Sequence, residues 1–198
     1  MDNATKIRSM IKDAVTALAL DTENAEKNYT LAILYESIGQ TASAITYFFR
    51  AAERTEDKEL AYECLLKMGL CYERQGNRQD TVKRMIQHAL YVLPKRPEAY
   101  FLMSRIYERT EKYIDGYTIV SIGLEVCDFN LPPLRGWVEY HGKYTLIFQK
   151  AVCGWHWGKN NESRRLLKHL LDDYGAVLDP MYLQAIHNNI GRIGLTPK

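Results

Sequence analysis

The feature that most constrains this chain is a ten-residue pattern that returns three times, as LAILYESIGQ at Leu31 to Gln40, MGLCYERQGN at Met68 to Asn77 and MSRIYERTEK at Met103 to Lys112. Each copy carries a Tyr-Glu pair at the same point, so that Tyr35, Tyr72 and Tyr107 recur at intervals of 37 and 35 residues. Self-similarity at such a period belongs to chains built from helical hairpins, because one hairpin cannot bury both of its faces and must stack on the next.

The residues around each tyrosine define the unit. The first has Leu31, Ala32, Tyr35 and Gly39, then Ala44, Phe48 and Ala51. The second keeps Met68, Gly69, Tyr72 and Gly76, with Thr81, Met85 and His88 in its second helix. The third has Tyr100, Met103, Ser104 and Tyr107, then Tyr113, Gly116, Val120 and Gly123, but places Glu111 where the others have a turn glycine. A fourth, weaker unit has Ala151, Gly158, Ser163 and Leu167, with Gly154 at the tyrosine position. Small residues let paired helices approach, and the tyrosine and second-helix aromatic fill the space between neighbours.

On these residues the chain resembles the tetratricopeptide repeat family. The resemblance implies an all-α, right-handed α-α superhelix, a solenoid forming one domain over 1–198 with repeats near 25–58, 62–95, 97–130 and 144–177. Capping helices are expected at both ends. Ile7, Met10, Ile11, Ala14, Val15 and Leu18 give Asn3 to Leu20 one apolar face. Asp179 is placed to N-cap a helix opening at Pro180, with Tyr182, Leu183, Ile186 and Ile190 as its stripe and Gly191 and Gly194 ending it, a cap over about 179–194. About ten helices are expected.

The resemblance also points to a non-enzymatic scaffold whose first helices line a concave groove that takes a protein or peptide segment. Read from the alignment, the exposed groove positions are Tyr29, Ile33 and Glu36; Leu66, Leu70, Glu73 and Arg74; Phe101, Arg105, Glu108 and Arg109; and Phe148, Val152 and Trp155. Tyr29, Leu66 and Phe101 stand where the family's chaperone-tail clamp has its first lysine, which argues against that specialisation. Glu36, Glu73 and Glu108 form a row suited either to basic ligand side chains or to local pairing with Arg74, Arg105 and Arg109.

Between the third and fourth units, residues 130–142 are an insertion in which Pro132 and Pro133 break any helix. The segment from Leu131 to Asn160 holds all three tryptophans. Trp137, Tyr140, His141, Tyr144, Trp155, His156 and Trp157 either form a binding patch, for protein or for sugar rings, or plug the gap between the third and fourth hairpins. With Glu162, Ser163, Arg164 and Arg165, this block is similar to tetratricopeptide-like regions that accompany glycosyltransferases, which implies a carbohydrate or a transferase as an alternative partner. Self-assembly into a homodimer is a third reading.

Composition narrows the remainder. With 26 basic and 24 acidic residues the net charge is +2, too small a field to draw nucleic acid. No window approaches a membrane span, the opening Met1 to Asp13 argues against a secretory signal, and the widely spaced cysteines fit a reducing cytoplasm. Cys64, Cys71, Cys127 and Cys153 lack CxxC pairing and read as buried thiols. Cys153 and His156 are too few for a metal site, His88, His169 and His187 lie on helical stretches, and Arg164, Arg165, Lys168 and His169 read equally as a phosphate site or a solvated face. Neither a catalytic constellation nor a cofactor or metal is expected.

Overall fold

The computed structural model describes residues 3–193. Among them are ten helices: α1 (Asn3–Ala19), α2 (Ala25–Ser37), α3 (Thr41–Arg54), α4 (Lys58–Gln75), α5 (Gln79–Val92), α6 (Glu98–Arg109), α7 (Tyr113–Val126), α8 (Lys143–His156), α9 (Asn160–Tyr174) and α10 (Pro180–Ile193). The described residues hold no strand, and none of their helices is long and apolar enough to cross a membrane. The chain groups into two compact units. The first runs through Pro94 and includes Pro132–Val138; the second comprises Lys95–Leu131 and the chain from Glu139 onward.

In the first unit α1 packs on α2, and α2 to α5 form two successive hairpins. Asn24 opens α2 by accepting a hydrogen bond from the Lys27 backbone N–H at 3.0 Å, and Asp57 opens α4 by accepting from that of Glu59 at 2.9 Å. The α2–α3 turn closes through Gly39, whose φ of +74° belongs to the left-handed region glycine enters freely. Its N–H donates to the Glu36 carbonyl and that of Gln40 to the Tyr35 carbonyl, both at 3.0 Å.

Glu111 occupies the same place in the α6–α7 turn. Its N–H donates to the Glu108 carbonyl at 3.0 Å and that of Lys112 to the Tyr107 carbonyl at 2.8 Å, with Glu111 itself held at φ +58°. A side chain in that region is strained. Glu111→Gly is therefore expected to stabilise the protein by about 0.5–1 kcal/mol, since the glycine's own entropy cost offsets part of the relief. An unchanged or lower urea midpoint for the variant would remove the strain argument.

The register of α5 differs from the sequence alignment. Val82, Ile86 and Ala89 are buried, whereas Thr81 and Met85 are half-buried and His88 is exposed. Val82 follows Tyr72 by ten residues, where Ala44 and Gly116 follow their tyrosines by nine. The extra residue is taken up by α4 running to Gln75 and by a turn in which both Gly76 and Asn77 are left-handed. The buried spacing of four and then three residues is thus kept as Val82, Ile86 and Ala89.

In the second unit α6 packs on α7, α7 on α8, α8 on α9, and α6 also touches α8. Glycine permits these approaches: a Cβ on Gly116 would lie 2.7 Å from Cys153 Sγ, and one on Gly123 2.8 Å from the Tyr100 Cβ. The expected terminal cap is present. Asp179 accepts from the Met181 N–H at 2.8 Å, and α10 lays Tyr182 and Ile186 on a buried cluster containing Phe148, Leu167 and Leu170. Gly191 lies inside α10 rather than ending it, and Gly194 is outside the described residues.

Candidate peptide-binding face

The first helices of the hairpins, expected to line an open groove, are more covered than the alignment implies. In α4 every residue from Tyr62 to Cys71 is buried, including the charged Glu63 and Lys67. Leu66 and Leu70, expected to be exposed, are core residues, and so is Tyr29 of α2, whose ring meets Phe48 at 5.9 Å. Ile33, Glu36 and Glu73 are half-buried, and Arg74 is exposed.

What covers Tyr29 and Glu63 is a piece of the insertion. Pro132–Val138 runs over α2 and α4, where the Glu63 carboxylate accepts two consecutive backbone N–H groups, from Arg135 at 3.0 Å and from Gly136 at 2.7 Å. The Tyr29 hydroxyl donates to the same carboxylate, and burial, together with that bond, pushes its pKa upward. The Arg135 side chain reaches Glu26 at 2.7 and 2.8 Å and Asp57 at 3.3 Å. Gly136 fits because it lacks a side chain: a Cβ there would lie 2.6 Å from Glu63 Oε1 and 2.9 Å from Lys67 Cε.

Of the glutamate row, Glu36 pairs locally. Its carboxylate accepts from Lys67 Nζ at 2.9 Å and from Arg74 at 3.1 Å. In the second unit Phe101 is 1% exposed, with the tilted ring of Tyr140 at 5.9 Å and the Arg105 guanidinium over it at 5.7 Å, so it is core and not an exposed groove position. Arg105 is ion-paired with Glu139, Phe148 is buried against Tyr182, and Glu108 and Trp155 are half-buried. Arg109 is exposed. The same unit holds a buried fork: the Arg96 Nε and a terminal nitrogen donate to Glu98 at 3.3 and 2.9 Å.

The aromatic residues of the insertion and α8 occupy separate settings. Trp137 belongs to the stretch on the first unit and is 59% exposed. His141 and Tyr144 set their rings against Tyr182, at 5.6 and 5.4 Å. Trp157 meets Tyr117 edge-on at 5.1 Å beneath Lys159, and Trp155 lies under Arg164 at 5.5 Å.

Chemistry-bearing side chains are held in structural contacts. Burial pushes the thiols of Cys64, Cys127 and Cys153 up to about 12 and that of Cys71 up to about 11. Three of the four are buried as expected, but Cys127 is only half-buried. Cys153 faces Gly116 while His156 stacks on Tyr113 at 4.4 Å, so the pair does not converge. Among the described residues no cluster of histidine, cysteine and carboxylate side chains could hold a metal ion. In the basic cluster, Arg164 is spent on Trp155, and His169 Nδ1 lies 2.6 Å from Asp173.

Glu26, Asp57, Glu63, Lys67 and Arg135 line the Pro132–Val138 contact without belonging to the positions expected from the repeat. A signal for two of them was present, since Glu63 and Lys67 are charges one turn apart inside the otherwise apolar run from Leu60 to Cys71. Charged residues are almost never fully buried without a partner.

The paired helices, turn geometry and tyrosine spacing define an all-α fold of the tetratricopeptide-repeat class, and comparison with solved structures agrees. BtubC (BKLC) from P. vanneervenii superposes with a TM-score of 0.70 at 16% identity, covering 96% of this chain and 80% of that one. MamA gives 0.66 at 14%, covering 89% and 96%. YrrB, described as a TPR protein with an unusual peptide-binding site, gives 0.60 at 12%, covering 85% and 78%. No family profile and no curated protein matches the sequence. The likeness to regions accompanying glycosyltransferases is not shown by these comparisons.

Proposed function

We propose that the chain is a non-enzymatic scaffold that binds an extended segment of a partner protein on the first-helix faces of its hairpins, without a cofactor. The observation that carries this reading is the seating of Pro132–Val138 on α2 and α4, where a carboxylate side chain grips consecutive backbone N–H groups of a non-helical stretch. Main-chain recognition of this kind gives affinity, and flanking pockets give selectivity. The fold is shared with YrrB, for which a peptide-binding site is described. A cytoplasmic setting suits the four free thiols.

The exposed arginines of the first helices, Arg74 and Arg109, offer variants that leave the core alone. A displayed library of random extended peptides, selected on the purified full chain, should yield binders whose retention falls at least tenfold on Arg74→Glu or Arg109→Glu. A selection that enriches nothing, or binders that ignore both changes, would reject the reading. Phe101 is unsuitable for this test because its truncation would open the core.

A further inference from the structure

The contact between Pro132–Val138 and the first unit has the composition of a receptor site already filled. Glu63 is fully buried, yet its carboxylate is matched by three donors: the Tyr29 hydroxyl and the two backbone N–H groups of Arg135 and Gly136. Two of those three come from the insertion. A buried carboxylate stripped of two donors is costly, so this face is built for an occupant that presents adjacent N–H groups. The occupant, rather than the acidic side chains alone, specifies the ligand.

Two further features narrow the chemistry. A Cβ at the second position of the pair would lie 2.6 Å from Glu63 Oε1 and 2.9 Å from Lys67 Cε, side-chain ends that must move aside for it, which favours glycine. At the first position Glu26 and Asp57 both engage one guanidinium, a geometry for arginine more than for lysine. These rim contacts are partly exposed, so they add selectivity more than strength. The Trp137 side chain that follows is largely exposed.

We propose that the α2–α4 face of the first unit is a binding site for an Arg-Gly step in an extended peptide, and that Pro132–Val138 is the occupant in cis that a partner's Arg-Gly segment must displace. This rests on the reading of the chain as a segment-binding scaffold and names the ligand class and its control. Tethered in the same chain, the occupant acts at an effective concentration on the order of millimolar, so a free peptide sees a site that is mostly taken. Its apparent affinity is reduced by the fraction of molecules with an open site, and weakening the cis segment restores it.

The test uses the full chain and a fluorescein-labelled heptapeptide, Pro-Pro-Leu-Arg-Gly-Trp-Val, followed by polarisation. Binding to the Arg135→Ala chain is expected to be roughly threefold to tenfold tighter than to the unaltered chain, because the cis competitor loses its two partly exposed ion pairs. The gain should vanish when Glu63→Gln is added. It should also shrink with Glu26→Gln and Asp57→Asn together, a rim pair that leaves the core intact should Glu63→Gln disturb folding. A control peptide with alanine in place of its glycine should bind more weakly, because the Glu63 and Lys67 side-chain ends must shift to admit it.

Equal affinity for the Arg135→Ala and unaltered chains, or equal binding of the glycine and alanine peptides, overturns the proposal. The two readings fail separately. Library binders that lack Arg-Gly, depend on Arg74 or Arg109 and ignore Glu63→Gln would leave the scaffold reading standing while this site falls.

Discussion

Tyr182→Ala is expected to cost about 3–5 kcal/mol, the range for truncating a large buried aromatic. Its ring is 7% exposed and receives the edges of Tyr144 at 5.4 Å and Phe148 at 5.3 Å, with His141 at 5.6 Å on the same ring. Those neighbours come from α8 and from the chain leading into it, so the hole would open where α10 covers the last hairpin. Stability in a repeat array is a sum of local and nearest-neighbour terms, and the loss should therefore be local. Hydrogen exchange should quicken in α8, α9 and α10 while α2 to α4 keep their protection, and urea unfolding should give the magnitude. A loss below about 1 kcal/mol, or quickening spread evenly over both units, would show that α10 is not the cap its packing implies.

Gly123→Val should cost about 3 kcal/mol, the upper part of the range for overpacking. A Cβ there would sit 2.8 Å from both Cβ and Cγ of Tyr100 and 3.1 Å from Leu146 Cδ2. The Tyr100 atoms are the fixed root of a side chain, not its mobile end, so α6 and α7 must separate. Gly191 provides the contrast, because it lies in α10 with nothing within 4 Å of a Cβ. Gly191→Ala should stabilise by about 0.5–1 kcal/mol through helix propensity alone. If calorimetry gave the two substitutions the same sign, close approach would not be the reason Gly123 is glycine.

The parts of this molecule legible in the sequence are those written by local rules. Helix number, the turn glycines, the N-cap at Asp179 and the spacing of Tyr35, Tyr72 and Tyr107 follow from periodicity and capping chemistry. The tyrosines keep comparable half-buried positions, Tyr35 stacked on Tyr47 at 5.6 Å, Tyr72 beneath Arg78 and Tyr107 against Gly116. The register of α5 was lost because one extra residue after Tyr72 shifts every later position, and a fixed-offset alignment cannot absorb it. The covering of Tyr29 and Glu63 was hidden for a different reason. Glu63 and Gly136 are 73 residues apart, and no local period joins them. The insertion was visible as a break in the repeat, but its destination depends on a charge complement recognisable only once α2 and α4 are side by side.

The thiols also have a use that their inertness conceals. Cys64 and Cys71 lie buried in the first unit, Cys153 in the second, and all three are raised well above ordinary thiol pKa values. An alkylating reagent can reach each sulfur only when its surroundings transiently open. Their labelling rates therefore act as separate clocks, two for the helices around Glu63 and one for the α7–α8 packing, so the opening energetics of each unit are readable without introducing a single foreign probe.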